Sequence, residues 1–245
     1  MQMWTRLAVL PMFFLTAAPT LGAEPPSREP PQGRPIYADL TGTIALENER
    51  VLVQRFVIPP GQSTGARAYA GHQLVVFIKG GVLKLQDGRS TLWPDGRVVW
   101  MQNAGHDAGS INTSRTPIDL LWVTLKPRAS IAQGTSPHHR SSYGYLNYPN
   151  IAGEDVLEND QVIVQRFKMN PGDWEGIHAH NPGTFYIFIK GGNWVSKSKE
   201  HPEGVPGSAP DGSVAWMDTI DLSDEHQSGN VGTNSSEVVW VSLKE

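Results

Sequence analysis

Apolar positions in this chain come in short runs bounded by glycine, proline and aspartate, and no stretch after the N-terminal segment sustains the period of an amphipathic helix. Val51 to Ile58 and Val162 to Met169 are rich in β-branched residues, and each leads into a Pro-Gly turn, Pro60-Gly61 and Pro171-Gly172. Leu74 to Ile78 and Phe185 to Ile189 are compact apolar runs, closed by Gly80-Gly81 and Gly191-Gly192. Asp95-Gly96 and Asp211-Gly212 are hairpin signals with valine-containing strands behind them. The last strands are Leu120 to Leu125 and Val238 to Leu243. This pattern predicts an all-β protein, and strands spaced in this way favour a barrel or sandwich.

These elements pair off because the chain is duplicated. The eleven residues from Leu46 to Phe56 match those from Leu157 to Phe167 at eight positions, with two further conservative pairs. The same offset of 111 carries through both Pro-Gly turns to Val76 to Gly81 against Ile187 to Gly192. After small insertions, Trp100 pairs with Trp216, His106 with His226 and Trp122 with Trp240. The organisation expected is an N-terminal segment at 1–23, a proline-rich tether at 24–39, a first unit at 40–128, a linker at 129–150 and a second unit at 151–245. Tyr143, Tyr145 and Tyr148, at the end of that linker, are expected to pack across the boundary between the units.

The N-terminal segment has the make-up of an export signal: Arg6, then the apolar stretch Leu7 to Ala18, then small residues up to Ala23. Its apolar run falls short of the ~20 residues a bilayer span needs, so the protein is expected to be secreted or periplasmic without a stable membrane anchor. The absence of cysteine removes disulfides, thiolate ligands and cysteine nucleophiles, so any metal must be held by histidine or oxygen. A net charge of −4 with no basic cluster argues against nucleic acid as a partner. A small-molecule ligand or substrate is the partner expected, and self-association into a homo-oligomer is left open.

Candidate chemistry concentrates in the second unit, between Gly172 and His180. In an extended strand, His178 and His180 point to the same face, so their imidazoles can converge on one ion. His226 lies further along, four residues before Asn230. Three imidazoles suit Fe, Mn, Ni, Cu or Zn and leave positions open for water or substrate. The competing reading is that His178 and His180 merely line a barrel. Trp174 and Glu175 are replaced by Ser63 and Thr64 in the first unit, so they are specific to the histidine-bearing copy. Trp174 could wall a pocket, and Glu175 could act as a general base. Thr184 and Tyr186 alternate on one strand and share a face, where they would contact a ligand if that face lines the pocket.

Gly172, His178, His180 and Gly191, followed by His226 and Asn230, resemble the two motifs of the cupin superfamily, and the duplication makes the chain similar to a bicupin. The resemblance spans about residues 40 to 245 and implies two tandem cupin-like (double-stranded β-helix, jelly-roll) barrels. The family's acidic ligand should fall at Thr184 or Phe185, and neither is acidic. The centre is therefore expected to be a set of three histidines, unless Glu175 or Asp224 completes it. In the first unit His178 and His180 become Arg67 and Tyr69, and Thr184 becomes Gln73, so structural support is the role expected there. The resemblance implies a metal-dependent enzyme acting on a small organic substrate, an oxygenase (with iron, a dioxygenase), isomerase or lyase. A non-catalytic module that binds a ligand or metal is the alternative.

Overall fold

The computed structural model describes residues 36–126, except 38, 70 and 102–104, and residues 145–244. The segment expected to be an export signal and nearly all of the expected tether lie outside the described residues, as do His138, His139 and Tyr143.

Each unit is built on a five-stranded antiparallel sheet with the same strand order. In the first, Thr43–Glu47 pairs with Val51–Ile58, and the late strand Ile118–Leu125 inserts between Val51–Ile58 and Gln73–Lys79, with Val98–Met101 at the far edge. In the second, Ser236–Leu243 inserts in the same way between Val162–Met169 and Thr184–Lys190, flanked by Glu154–Glu158 and Val214–Met217. Register is duplicated with the order: Trp122 lies opposite Gln54, and Trp240 opposite Gln165. Three-stranded sheets complete the barrels, Ser110–Asn112, Gly81–Leu85 and Ser90–Trp93 in the first, and Val205–Ala209, Gly192–Lys197 and Gln227–Asn230 in the second. The fold is all-β, as expected. Apart from a single 3-10 turn at Leu222–Asp224, no helix occurs among the described residues.

The uninterrupted apolar runs are strands buried on both faces. Val75 and Phe77 point into the first barrel, while Leu74, Val76 and Ile78 between them point out of it. These outward residues join Phe185, Ile187 and Ile189 of the second unit in one continuous core, to which both central strands contribute: Leu121 and Val123 from one, Val239 and Val241 from the other. The five-stranded sheets thus pack back to back.

Polar groups at the edge of this interface are also reciprocal. Arg55 forms a two-pronged pair with Asp119, at 2.9 and 2.5 Å, and its guanidinium lies against Gly212 of the opposite unit, where a Cβ would come within 2.8 Å of it. Arg166 donates to the backbone oxygen of Gly96 in the first unit. These arginines therefore lie between the units rather than inside the barrels. Trp216 stacks on Phe185, with ring centres 6.0 Å apart, and Trp100 stacks on His72 at 5.7 Å.

Two sequence features acquire a physical cause. Gly80 and Gly191 are needed because a Cβ would lie 1.8 Å from Trp93 O and 2.0 Å from Ala209 O, where the turn crosses the neighbouring strand. Asn112 and Asn230 are buried, and each amide group ties down two backbone oxygens: Ile58 and Thr116 in the first unit, Met169 and Asn234 in the second. Asn112 begins a glycosylation-type triplet, but both its amide hydrogens are already used.

Tyr148 does not pack across the unit boundary. It enters the second barrel and meets Phe167 at 4.4 Å, as Tyr37 meets Phe56 at 4.7 Å in the first. Both tyrosines obey the 111-residue offset, so burial extends each unit backwards past Leu46 and Leu157.

Phe185 is fully buried at the interface between the sheets, so Phe185→Ala should cost about 3–5 kcal/mol. Because one core serves both barrels, urea unfolding followed by tryptophan fluorescence and by circular dichroism should show one shared transition at a lower midpoint, not the loss of one barrel alone.

Candidate metal centre

The segment carrying His178 and His180 is less regular than the strand expected for it. Its counterpart in the first unit, Arg67–Tyr69, is a strand, whereas residues 174–180 make only isolated bridges, Trp174 to Gly229 and His180 to Ile220. Gly176 has a φ of +80°, open to glycine and strained for other residues, and Gly65 holds the same kink at the equivalent place in the first unit (+64°). The kink turns the Gly176 carbonyl towards His178, whose Nδ1 lies 2.8 Å from it. That bond places the proton on Nδ1 and leaves Nε2 as a lone pair facing the barrel interior. The backbone N–H of His178 donates to His226 O at 3.0 Å, which brings the third histidine alongside. His226 follows Glu225, the sole non-glycine residue with positive φ among the described residues (+53°), at the end of the 3-10 turn.

The three imidazoles converge. One nitrogen from each of His178, His180 and His226 lies within 4.8 Å of the other two, and His178 Nε2 is 2.9 Å from His180 Nε2. Nitrogens bound about 2.1 Å from one ion at right angles stand about 3.0 Å apart, so this spacing suits a shared metal. Burial holds the rings neutral, the form that binds metal: it pushes His178 down to about 4 and His180 down to about 3, and lowers His226. The donor set therefore fits a divalent ion.

Glu175 and Asp224 fall outside this set. Asp224 is exposed and its carboxylate accepts from Asp221 N, closing the capping box of the 3-10 turn. Glu175 is buried, with Oε2 3.9 Å from His178 Nε2 and accepting from Ser228 N at 3.0 Å. Desolvation pushes its carboxyl up to about 7, against the opposing effect of Tyr148 and Ser228. Tyr148 packs edge-on to His178, with ring centres 4.5 Å apart, and Trp240 packs on His180 at 5.0 Å.

A cavity of about 220 Å³ opens onto His180 and His226 and is walled by residues that include Glu175, Tyr148, Tyr186 and Trp240. Tyr186 is among the residues that line this cavity. Thr184 is buried beside it, 3.4 Å from Ser242 Oγ, and is not part of the cavity wall. Trp174 also stands outside the wall, packed on Gly229 with Lys197 Nζ 5.0 Å above its ring. Tyr148 and Trp240 went unrecognised as site residues, although extending the 111-residue repeat to Tyr37 would have marked the first of them.

No protein-family model and no curated protein sequence matches the chain. Solved structures do. AerE from Microcystis aeruginosa aligns over 88% of this chain and 98% of its own, at 10% identity and a TM-score of 0.55. Salicylate 1,2-dioxygenase from Pseudoaminobacter salicylatoxidans, with adducts of gentisate, aligns over 86% of this chain and 75% of its own, at 9% identity and a TM-score of 0.51. A cupin 2 conserved barrel domain protein from Leptotrichia buccalis aligns over 88% of this chain and 99% of its own, at 12% identity and a TM-score of 0.47. The fold is the cupin fold, present twice.

The two cupin barrels differ at their centres. In the first, Arg67 stands where the second has His178, and its guanidinium carbon lies 5.0 Å from the Trp122 ring centre and 5.9 Å from that of Tyr37. Gln73, at the position of Thr184, accepts the Trp122 indole N–H. A fixed side-chain cation therefore sits among aromatic rings in one cupin barrel, while neutral nitrogens gather in the other. The side chains of Tyr69 and His106 lie outside the description. His201, in a turn, is exposed and pairs with Glu203 at 3.3 Å.

These shifts set the pH response of the metal-free protein. The unfolded chain protonates His178, His180 and His226 near pH 6.5, whereas the fold resists protonation down to about 4 for His178 and 3 for His180. Their contribution to stability is present above pH 6.5 and is lost as pH falls. Glu175 has the opposite sense, since its proton is held by the fold up to about pH 7, so its contribution is lost as pH rises through that value. Between about pH 4.5 and 6.5 His178 and His180 outweigh Glu175, and His226 acts in the same direction as they do, so Tm should fall on acidification. Scanning calorimetry of metal-free protein checks this, and His178→Gln with His180→Gln should flatten the profile.

Proposed function

We propose that this protein is an exported bicupin that binds one divalent metal ion in its second barrel through His178, His180 and His226, and acts there on a small organic substrate. The convergence of three imidazoles, those of His178 and His180 buried and that of His226 half-buried, each biased towards the neutral form, carries this reading. Among the chemistries open to such a centre, iron-dependent dioxygenation is favoured by the similarity to salicylate 1,2-dioxygenase. Export rests on the N-terminal pattern of Arg6, an apolar stretch and small residues.

A bound divalent ion would supply Lewis-acid polarisation of a substrate oxygen and, if it is iron, one-electron chemistry with dioxygen. The protein's own residues set the conditions. Three uncharged ligands leave the ion's charge uncompensated, which favours a substrate that offers an oxygen lone pair or an anion. Glu175, with a carboxyl near 7, can take a proton from a substrate hydroxyl and return it at neutral pH. Ser228 N holds the carboxyl by Oε2 and keeps it beside His178. Aromatic walls keep bulk water away from the reacting groups.

Elemental analysis of natively purified protein should find about one equivalent of transition metal per chain, and the variant with both His178→Ala and His180→Ala should lose it. Retention of metal by that variant would sink the proposal. Glu175→Gln should keep the metal while turnover falls by about 100-fold or more, measured as oxygen consumption with phenols, thiols and small acids. Metal uptake without turnover of any such compound would favour the binding-module reading instead.

A further inference from the structure

The cavity of the second barrel has one-sided chemistry. Phe188 and Trp194, stacked at 5.3 Å and 16°, line one part of it, and Met169, Met217 and Val238 extend the apolar lining. No lysine or arginine lines the cavity, and its one carboxyl, Glu175, opposes a ligand of high negative charge. At about 220 Å³ it exceeds the roughly 150 Å³ that encloses benzene in an apolar cavity, leaving space for a substituent or two.

Two polar atoms in the wall are left over. Tyr148 is 4% exposed and Trp240 is 5% exposed, and both line the cavity. The Tyr148 hydroxyl lies beside the Glu175 carboxyl and the Trp240 indole, yet neither that hydroxyl nor the indole nitrogen completes a hydrogen bond of normal geometry. Buried donors are seldom left unpaired, because each has given up its water. In the first barrel the equivalent indole, Trp122, is satisfied by Gln73. In the second, position 184 is a threonine that turns to Ser242, so the indole of Trp240 has lost that partner. Substitution at this one position removes an internal partner from the barrel that carries the histidines.

We propose that Tyr148 O–H and Trp240 N–H form the recognition subsite of this cavity, donating to one oxygen of a flat, single-ring ligand that is neutral or carries one negative charge. The ring lies along Phe188 and Trp194, and the oxygen is held at the end where Tyr148 and Trp240 meet the histidines. This rests on the second barrel being the ligand-binding one. It adds a specificity that a metal centre alone would not impose: ligands with two carboxylates are rejected for want of a second cation.

The test is titration of metal-loaded full-length protein, by calorimetry, with catechol, benzoate and phthalate, alongside elemental analysis of every sample. Catechol and benzoate should bind, and phthalate, the same ring with a second carboxylate, should bind at least tenfold more weakly. Tyr148→Phe keeps the ring against His178 and should weaken catechol and benzoate about tenfold with metal content unchanged. Trp240→Phe should do the same, and if it fails to fold, Tyr148→Phe alone decides. Unchanged affinity in Tyr148→Phe, equal binding of phthalate, or no binding of either favoured probe at millimolar concentration would overturn the subsite. If Tyr148→Phe loses metal as well as ligand, Tyr148 supports the metal centre instead, and the proposal also falls. Should native protein hold no metal, the same titration on metal-free protein separates the two ideas: Tyr148-dependent binding keeps the subsite while the metal reading fails.

Discussion

The structure depends on the burial of two five-stranded sheets against each other. A sheet in a barrel has an inner and an outer face, and here the outer face of each is removed from water by the other. Leu74, Val76 and Ile78 meet Phe185, Ile187 and Ile189 in a single core, so neither sheet is left with a large exposed apolar surface. The central strands of that core, Ile118–Leu125 and Ser236–Leu243, come late in each unit and pair with strands made much earlier. Closing each barrel and joining the two are therefore coupled events. With no disulfide anywhere in the chain, this apolar packing carries the stability.

Packing the outer faces together frees the inner faces to differ. The frame around them is held constant by the glycines at 80 and 191 and by the asparagines at 112 and 230. Within it, positions 67 and 178 decide the electrostatics. A guanidinium carries its own charge and is steadied by Trp122 and Tyr37, so the first barrel has its cation built in. Buried imidazoles shed their protons and present lone pairs, so the second barrel is prepared to receive a cation. The same tyrosine and tryptophan positions stand beside both centres, supporting a side-chain cation in one barrel and flanking the histidines in the other.

Much of this was legible beforehand, for identifiable reasons. Strand positions, the duplication and the histidine set are local or repetitive signals, visible as apolar runs, Pro-Gly turns and the fixed offset of 111 residues. Other features were misplaced. Tyr148 reads as a linker aromatic in the sequence because identity between the units becomes strong only from Leu46 and Leu157 onward, while its burial depends on strands far away in sequence. Trp174 and Thr184 were placed with the ligand because they neighbour the histidines or share a face with Tyr186. Depth within the barrel separates Thr184 from the cavity, and Trp174 packs its ring over its bridge partner Gly229 instead of onto the cavity.

By itself the sequence determined that the chain is all-β and duplicated, and that only the second copy holds the set His178, His180 and His226, because period, turn chemistry and repetition are properties of neighbours along the chain. Only the tertiary structure decided that the sheets share one core, that a glycine kink and not a regular strand aims His178, and that Tyr148 and Trp240 stand at the centre with unpaired donors. Those outcomes depend on which strands lie across from one another and on how much water their packing excludes, and neither is written in any local stretch of residues.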